Sequence, residues 1–325
     1  MNQATAARWI GIDVSKATLD VALLPETSTF QVANNATGWR QLVDRLDLPT
    51  VAGIVLEATG SYHRGVTGAL AAAGLAPAVI NPQRTHAFIV SAGKRGKTDR
   101  GDALLLARFG QQKQPTPTPV ETETARQLTD LVACRDDLVT TLVREKNRLT
   151  VAGDGVRDIH QTTIAFLTTQ IAAVEDRIAT LIAADAELRE RDRQLQSVPG
   201  LGPVLSPVLL ARLAQLGTTD AKSLAALAGV APHPQDSGTK HGYRAIGGGR
   251  PAVCKALFQM ARTAVRGNPV MKAHYRQLVA RGKPDRVAVI ACARRMLGIL
   301  NAMLRDGLTW QQTTVGQGQF LPDPA

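Results

Sequence analysis

Two carboxylates stand three residues apart in Lys97-Thr98-Asp99-Arg100-Gly101-Asp102-Ala103, at the point where a helix is expected to begin. Residues three apart share a helix face, so both acids would present to one side. Like charges this close repel unless a cation lies between them, and a divalent ion with oxygen ligands is one reason to keep such a pair. The competing reading is local, because acids at a helix start cap its amides and complement its dipole. Two further acids share this ambiguity. Asp13 interrupts the apolar run Trp9-Ile10-Gly11-Ile12-Asp13-Val14, and Glu57 ends Gly53-Ile54-Val55-Leu56-Glu57. A charge in a buried strand is costly, so each is paired, at an edge, or bound to a cation.

The elements that carry these acids decide between the readings. Residues 9–14 and 18–24 read as a strand hairpin, with a third strand over 29–33. A helix starts near Thr37, where Trp39, Leu42, Val43 and Leu46 repeat at helical spacing. A fourth strand over 53–57, an Ala-rich helix over 62–73 stopped by Gly74, a fifth strand over 78–80 and a helix over 83–90 follow. Three strands and then alternating helices and strands predict an α/β domain, its mixed sheet part antiparallel, part parallel and covered by helices. Functional groups gather beyond the carboxyl ends of parallel strands, so strand one beside strand four would bring Asp13 and Glu57 together. The helix bearing Asp99 and Asp102 could cross that same edge. Four converging carboxylates would suit two Mg²⁺ ions about 3.5–4 Å apart that activate an attacking oxygen and stabilise a leaving one at a phosphate.

Beyond the acidic helix, Pro115, Pro117 and Pro119 form a stiff connector. A long helix over 121–149 carries Leu128, Leu131, Leu138, Leu142 and Leu149 on one side, and Gly153 and Gly155 break it. Ile164, Leu167, Ile171, Val174, Ile178 and Leu181 then step by three and four, the seam of a coiled coil. The seam closes either against the preceding helix or between chains, as a dimer or tetramer. The expected domains are therefore residues 1–153 with the long helix, a coiled-coil arm over 154–193, and a mainly helical part over 194–325. That last part shows helices at 204–213, 221–228, 250–265, 271–280 and 285–305, no strand, and a loose tail after Trp310.

Composition excludes a disordered or fibrous chain, at 44% hydrophobic and 20% charged residues. The net charge is +11, and from Pro232 onward 14 Lys and Arg stand against four acids, so the basic surface belongs to the C-terminal part. A polyanionic partner is expected, though basicity alone does not separate DNA, RNA and anionic membrane. Cys134, Cys254 and Cys292 fit neither a disulfide framework nor a zinc cluster, which suits a reducing cytosol. Met1 to Arg8 has no apolar core, and Arg294 and Arg295 interrupt the apolar run 287–304, so the expectation is a cytoplasmic protein with no membrane segment. The six histidines share no metal-binding spacing.

Gly11-Ile12-Asp13-Val14-Ser15-Lys16, Leu56-Glu57-Ala58-Thr59-Gly60-Ser61-Tyr62, Ile80-Asn81-Pro82 and Lys97 to Ala103 resemble the N-terminal domain of the DEDD-type insertion-sequence transposases and their DNA-invertase relatives. The resemblance continues in order through Val198-Pro199-Gly200-Leu201-Gly202, Leu227-Ala228-Gly229-Val230-Ala231-Pro232 and Asp236-Ser237-Gly238. It implies a ribonuclease-H-like fold of the RuvC type, with Asp13, Glu57, Asp99 and Asp102 as a Mg²⁺-binding tetrad. It also implies that Ser237 is a covalent nucleophile, that several protomers assemble on DNA, and that a structured non-coding RNA guides the reaction. From the residues alone, Pro234-Gln235-Asp236-Ser237-Gly238 is a polar turn. Two rival readings stay open: a metal-dependent junction resolvase using water, and a non-catalytic nucleic-acid-binding protein.

The expected nucleic-acid contacts are Lys97 before the acidic helix, Lys240, Arg244 and Arg250 around the glycines 242 and 247–249, and His241 beside Ser237. Arg262, Arg266, Lys272 and Arg276, with Arg281, Lys283 and Arg286, would add non-specific, salt-dependent phosphate binding. Pro199-Gly200-Leu201-Gly202 resembles the turn of a helix-hairpin-helix, whose amides bind phosphate, or is a plain helix–helix turn.

Overall fold

The computed structural model describes residues 7–91, 99–119, 121–234, 242 and 244–313, with the side chains of 89, 99 and 100 left aside. The chain forms two compact units, Met1–Glu121 and Thr122–Ala325.

The first unit is built on a five-stranded sheet in the order β3-β2-β1-β4-β5. β1 (Arg8–Val14), β2 (Thr18–Leu24) and β3 (Ser28–Ala33) run antiparallel, whereas β4 (Val51–Glu57) is parallel to β1 and to β5 (Pro77–Ile80). The expected mixed sheet is therefore present. Its helices are α1 (Ala36–Arg45), α2 (His63–Ala72), α3 (Pro82–Ser91) and α4 (Asp99–Lys113).

Strand side chains alternate between faces, and the cores follow that period. Ile10, Ile12, Val14, Leu19, Val21, Ile54 and Leu56 pack against Leu42 of α1 and Val66 and Leu70 of α2. On the opposite face Val55, Ala78 and Ile80 pack with Leu106 and Phe109 of α4, and the Phe88 ring of α3 meets Phe109 edge-on at 5.3 Å between centroids. Gly11 is what lets α4 lie directly on β1. A Cβ there would stand 2.0 Å from the Ala103 carbonyl oxygen and 2.3 Å from the Ala107 nitrogen. At the other end of the same contact, Gly110 has no room for a Cβ beside the Trp9 ring, 2.5 Å away. Helix α4 thus runs antiparallel to β1, and its first turn lies toward the carboxyl ends of β1 and β4.

The second unit contains α5 (Glu123–Val151), α6 (Asp154–Ala184), α7 (Ala186–Gln196), α8 (Leu205–Arg212), α9 (Ala221–Leu227), α10 (Pro251–Gly267), α11 (Pro269–Ala280) and α12 (Asp285–Asp306). Its core centres on α12, where Cys292, Ala293, Met296, Leu300 and Met303 are fully buried. Among the described residues, α12 is also the one helix long and apolar enough to cross a membrane, and its apolar side chains make this core. The buried Asn301 of α12 is satisfied, accepting from the Gly217 amide at 2.7 Å and donating to the Thr219 carbonyl at 2.8 Å.

Two expectations need correction, and an alternative left open for the seam is decided. The first domain ends near residue 121 rather than 153, because Leu128 and Val132 of α5 bury themselves in the core of the second unit. The coiled-coil seam is internal to the chain, with Leu167, Val174 and Ile178 buried against α5 and Arg135 paired to Glu175 at 2.7 Å across the two helices. Residues 154–193 are consequently α6, one side of a helical hairpin in the second unit, and most of α7; Gly155 lies inside α6 while Gly153 caps it. Finally, a short antiparallel ladder joins β6 (Pro232–His233) to β7 (Ala245–Ile246), in a part of the chain whose sequence shows no strand run. Trp310, the last residue before the expected tail, is buried, and its amide donates to Ser197 Oγ at 2.8 Å.

Candidate functional site

Asp13 and Glu57 occupy neighbouring positions at the carboxyl ends of parallel strands, one residue beyond the Ile12–Leu56 pair. Two residues before each, Gly11 and Val55 face α4, so both acids belong to the α4 face of the sheet. Asp102 precedes Ala103, the residue whose carbonyl covers Gly11. Two strand residues span about 6.6 Å and four helix residues about 6 Å, so stepping from Gly11 to Asp13 matches stepping back one turn along α4 from Ala103 to Asp99. The backbone thus brings three strand and helix acids, with the Asp99 position, to one end of the sheet. Asp13, Glu57 and Asp102 are all half-buried.

Glu57 is oriented by a residue that the sequence did not single out. Thr85 of α3 is 2% exposed and donates its hydroxyl to Glu57 Oε2 at 2.6 Å. A second unforeseen acid is Asp20, buried at 6% exposure and directly opposite Asp13 in the β1–β2 ladder. Gln31, its neighbour on β3, donates Nε2 to both carboxylate oxygens at 3.1 Å. Like charges directly opposite each other on a sheet destabilise it, and a nearby cation offsets that cost. The signal was available, since Asp20 interrupts the apolar run Thr18–Leu24 as Asp13 interrupts its own strand.

Among the described residues no three Asp, Glu, His or Cys side chains are arranged to hold one ion as they stand, and the Asp99 side chain lies outside them. The donor set nevertheless fits Mg²⁺: it is all carboxylate oxygen, and this ion is usually held by one or two carboxylates together with water and substrate phosphate oxygens. Asn34 supports the same end of the sheet by donating to the carbonyls of Ser15 at 2.8 Å and Tyr62 at 3.1 Å, while its Oδ1 accepts from the Trp39 indole at 2.8 Å. His63, at the start of α2, has its pKa lowered chiefly by burial, with Arg64 adding to the effect.

In the second unit the expected basic residues divide into scaffold and surface. Arg250 departs from the expectation of a phosphate contact: its Nη1 donates to the Arg212 carbonyl at 2.5 Å and to Gln215 Oε1 at 2.9 Å, which ties the start of α10 to the end of α8. The glycine loop beside it is open at Gly247 and Gly248 and packed at Gly249. A Cβ on Gly249 would come within 2.3 Å of the Gly229 nitrogen, so glycine is required for the close approach of two backbones. The Pro199–Gly202 turn behaves as a helix–helix turn, with the amides of Leu201, Leu205 and Ser206 bonded to Val198 and Gly202 carbonyls. Arg244, Arg262, Arg266, Lys272 and Arg276 are exposed. Ser237, Lys240 and His241, in the segment joining β6 to β7, and Lys97 lie outside the described residues.

Comparison with known proteins finds two family matches, the first of which extends past residue 121 into α5 and the start of α6. Residues 10–154 match the DEDD-type IS110 transposase family, and residues 192–276 match the family described as Transposase IS116/IS110/IS902. The pilin gene-inverting protein of Moraxella bovis is 29% identical over 309 residues, covering 92% of this chain and 96% of that protein. Its counterpart in Moraxella lacunata matches to the same extent. The insertion element IS110 uncharacterized 43.6 kDa protein of Streptomyces coelicolor is 30% identical over 219 residues, covering 64% of this chain and 52% of that protein.

Proposed function

This chain carries the transposase domains of the IS110/IS116/IS902 family, and from that premise we propose that it cuts and rejoins DNA strands with an acidic, Mg²⁺-binding centre and a serine nucleophile. The observation that carries the reading is the meeting of Asp13 and Glu57 at the carboxyl ends of adjacent parallel strands, on the face crossed by the helix of Asp99 and Asp102. The sheet order, antiparallel through β3-β2-β1 and parallel through β1-β4-β5, supports a ribonuclease-H-like fold for the first unit.

Asp13, Glu57, Asp99 and Asp102 would hold two Mg²⁺ ions. When bound, these ions supply charge stabilisation at the scissile phosphate and at the departing oxygen. The chain's own residues do the rest. Thr85 fixes the Glu57 carboxylate, and the α4 contact at Gly11 fixes the helix acids relative to β1. Ser237 Oγ forms a bond to phosphorus as the phosphorus–oxygen bond to deoxyribose breaks, and the serine proton ends on the released hydroxyl. Attack by a hydroxyl of another strand reverses these steps and frees the serine, so the bond energy is conserved for rejoining.

A guide RNA and assembly of several protomers belong to the same reading. Assembly draws support from the hairpin of α5 and α6, where Val151, Val156, Ile159 and Phe166 are exposed near its turn at 86%, 45%, 59% and 60%. The name of the Moraxella bovis relative, an inverting protein for a pilin gene, supports DNA as the substrate. The test is a denaturing gel of full-length protein incubated with end-labelled DNA and Mg²⁺. A protein–DNA adduct that disappears in Ser237→Ala and in Asp102→Asn is expected. Undiminished cleavage by Ser237→Ala would replace the serine with water, and undiminished cleavage by Asp102→Asn would remove the acidic centre.

A further inference from the structure

A hollow of about 550 Å³ opens between α10, the middle of α11 and the first turn of α12. Three guanidiniums line it, those of Arg262 and Arg266 on α10 and Arg286 on α12. All three are exposed, and none forms an ion pair among the described residues. Three unneutralised cations around one hollow repel each other, and a multivalent anion removes that repulsion. The one acid in the wall is Asp285, which accepts the Tyr275 hydroxyl and so is turned toward α11. That leaves the hollow with a surplus of positive charge.

Two further features match the charge. Helix α12 spans 22 residues, starts at Pro284 with no side-chain cap, and contributes Asp285 and Arg286 of its first turn to the wall, so the positive end of its dipole lies at the hollow's edge. The remaining wall holds the rings of Phe258, four residues before Arg262 on α10, and Tyr275, with Val265 and Val289. Guanidinium forks recognise phosphate oxygens, and aromatic rings accept a base face. A duplex keeps its bases stacked inside and could offer this hollow only backbone, whereas an unpaired base can reach the ring surface that the core leaves uncovered.

We infer that this hollow is a binding site for one unpaired nucleotide of a nucleic-acid strand, its phosphate held by Arg262, Arg266 and Arg286 and its base set against Phe258. The inference rests on the reading of the chain as a nucleic-acid-processing enzyme but is independent of the acidic centre.

The test is fluorescence anisotropy of full-length protein with 20-nucleotide single-stranded DNA, the same sequence as RNA, and the DNA duplex, over a range of salt. Arg262→Gln/Arg286→Gln is expected to lose single-strand affinity by about ten- to hundredfold, and the slope of log K against log salt should shrink by about 0.7 for each phosphate no longer neutralised. Phe258→Leu should lower single-strand affinity without changing the slope. Arg40→Gln, an exposed change on α1, is the control and should behave as wild type. Equal melting temperatures establish that the variants fold. Weaker binding to DNA, RNA or both supports the site and names the strand it takes. Wild-type affinity and slope on both single strands, or weakening confined to the duplex, overturns it. If the wild-type protein binds no nucleic acid at all, the proposed function fails and this inference falls with it.

Discussion

Replacing Gly11 with alanine drives a methyl group into the backbone of α4. The added Cβ would meet the Ala103 oxygen at 2.0 Å, against an ordinary contact of at least 3.4 Å, so the helix must retreat by more than 1 Å or the strand must bend. The obstacles are main-chain atoms, which cannot rotate aside as a side chain can. Overpacking of this kind costs about 1–3 kcal/mol, measurable by urea denaturation. The catalytic cost should be larger than the stability cost. Asp102 moves with Ala103, and a displacement of about 1 Å in a catalytic group lowers rate by roughly a hundredfold. Single-turnover cleavage of labelled DNA by Gly11→Ala should therefore fall by about that factor in protein that is still folded at 25 °C. Gly68→Ala is the matched control, because nothing lies within 4 Å of its Cβ position in α2. It should gain about 0.5–1 kcal/mol from helix propensity and keep full activity. Wild-type stability and rate in Gly11→Ala would refute the packing of α4 on β1 and with it the placement of the helix acids.

Thr85→Val removes the hydroxyl that orients Glu57, and cleavage should fall about tenfold, since a hydrogen bond to a charged group is worth about 1.5–3 kcal/mol; an unchanged rate in a folded variant would show that Glu57 needs no such orientation. Leu128→Ala should destabilise the second unit by about 2–5 kcal/mol, with hydrogen exchange in β1 to β5 unaffected at equal global stability; loosening of the sheet instead would return α5 to the first unit. The Glu145 carboxyl is held below the ordinary carboxylate range, first by His160, which lies 2.8 Å away, and also by Arg148. Its contribution to stability is present above the unfolded pKa, near 4.5, and is lost as pH falls through the lowered folded value. Wild type should therefore melt higher than Glu145→Gln at pH 7, and the gap should close toward pH 3; a gap independent of pH would exclude the ionised carboxylate as its source.

Most of the first unit was legible in the sequence because its strands alternate and its turns are marked by Gly, Pro and Asn. The meeting of Asp13 and Glu57 followed from setting strand one beside strand four with both acids toward the carboxyl ends, and β1 and β4 do pair in parallel. What local patterns do not encode is which distant segment an element meets. The seam of α6 looks the same whether a second chain or α5 covers it, and only the burial of Leu128 and Val132 in the second core moved the boundary to residue 121. Arg250 reads as a loop cation until its acceptors, Arg212 and Gln215, come from 38 and 35 residues away. The glycines of 247–249 suggested open backbone, yet Gly249 is needed for contact with Gly229. Thr85 has no sequence signal of its own, since a threonine in a helix is unremarkable until Glu57 lies beside it.

Asp13, Glu57, Asp99 and Asp102 are proposed to act as one Mg²⁺-binding centre for strand cleavage. The most direct test is single-turnover cleavage of labelled DNA as a function of Mg²⁺ concentration, comparing wild type with Asp13→Asn and Asp102→Asn. Cleavage in both variants is expected to fall by about a thousandfold or more at saturating Mg²⁺, a loss of about 4 kcal/mol of transition-state stabilisation. A loss of that size is within reach of removing one ligand from a metal-assisted phosphoryl transfer. The dissociation constant for DNA should change little, since the basic surface of the second unit is untouched. Cleavage at the wild-type rate and with the wild-type Mg²⁺ dependence in either variant would contradict a shared acidic centre.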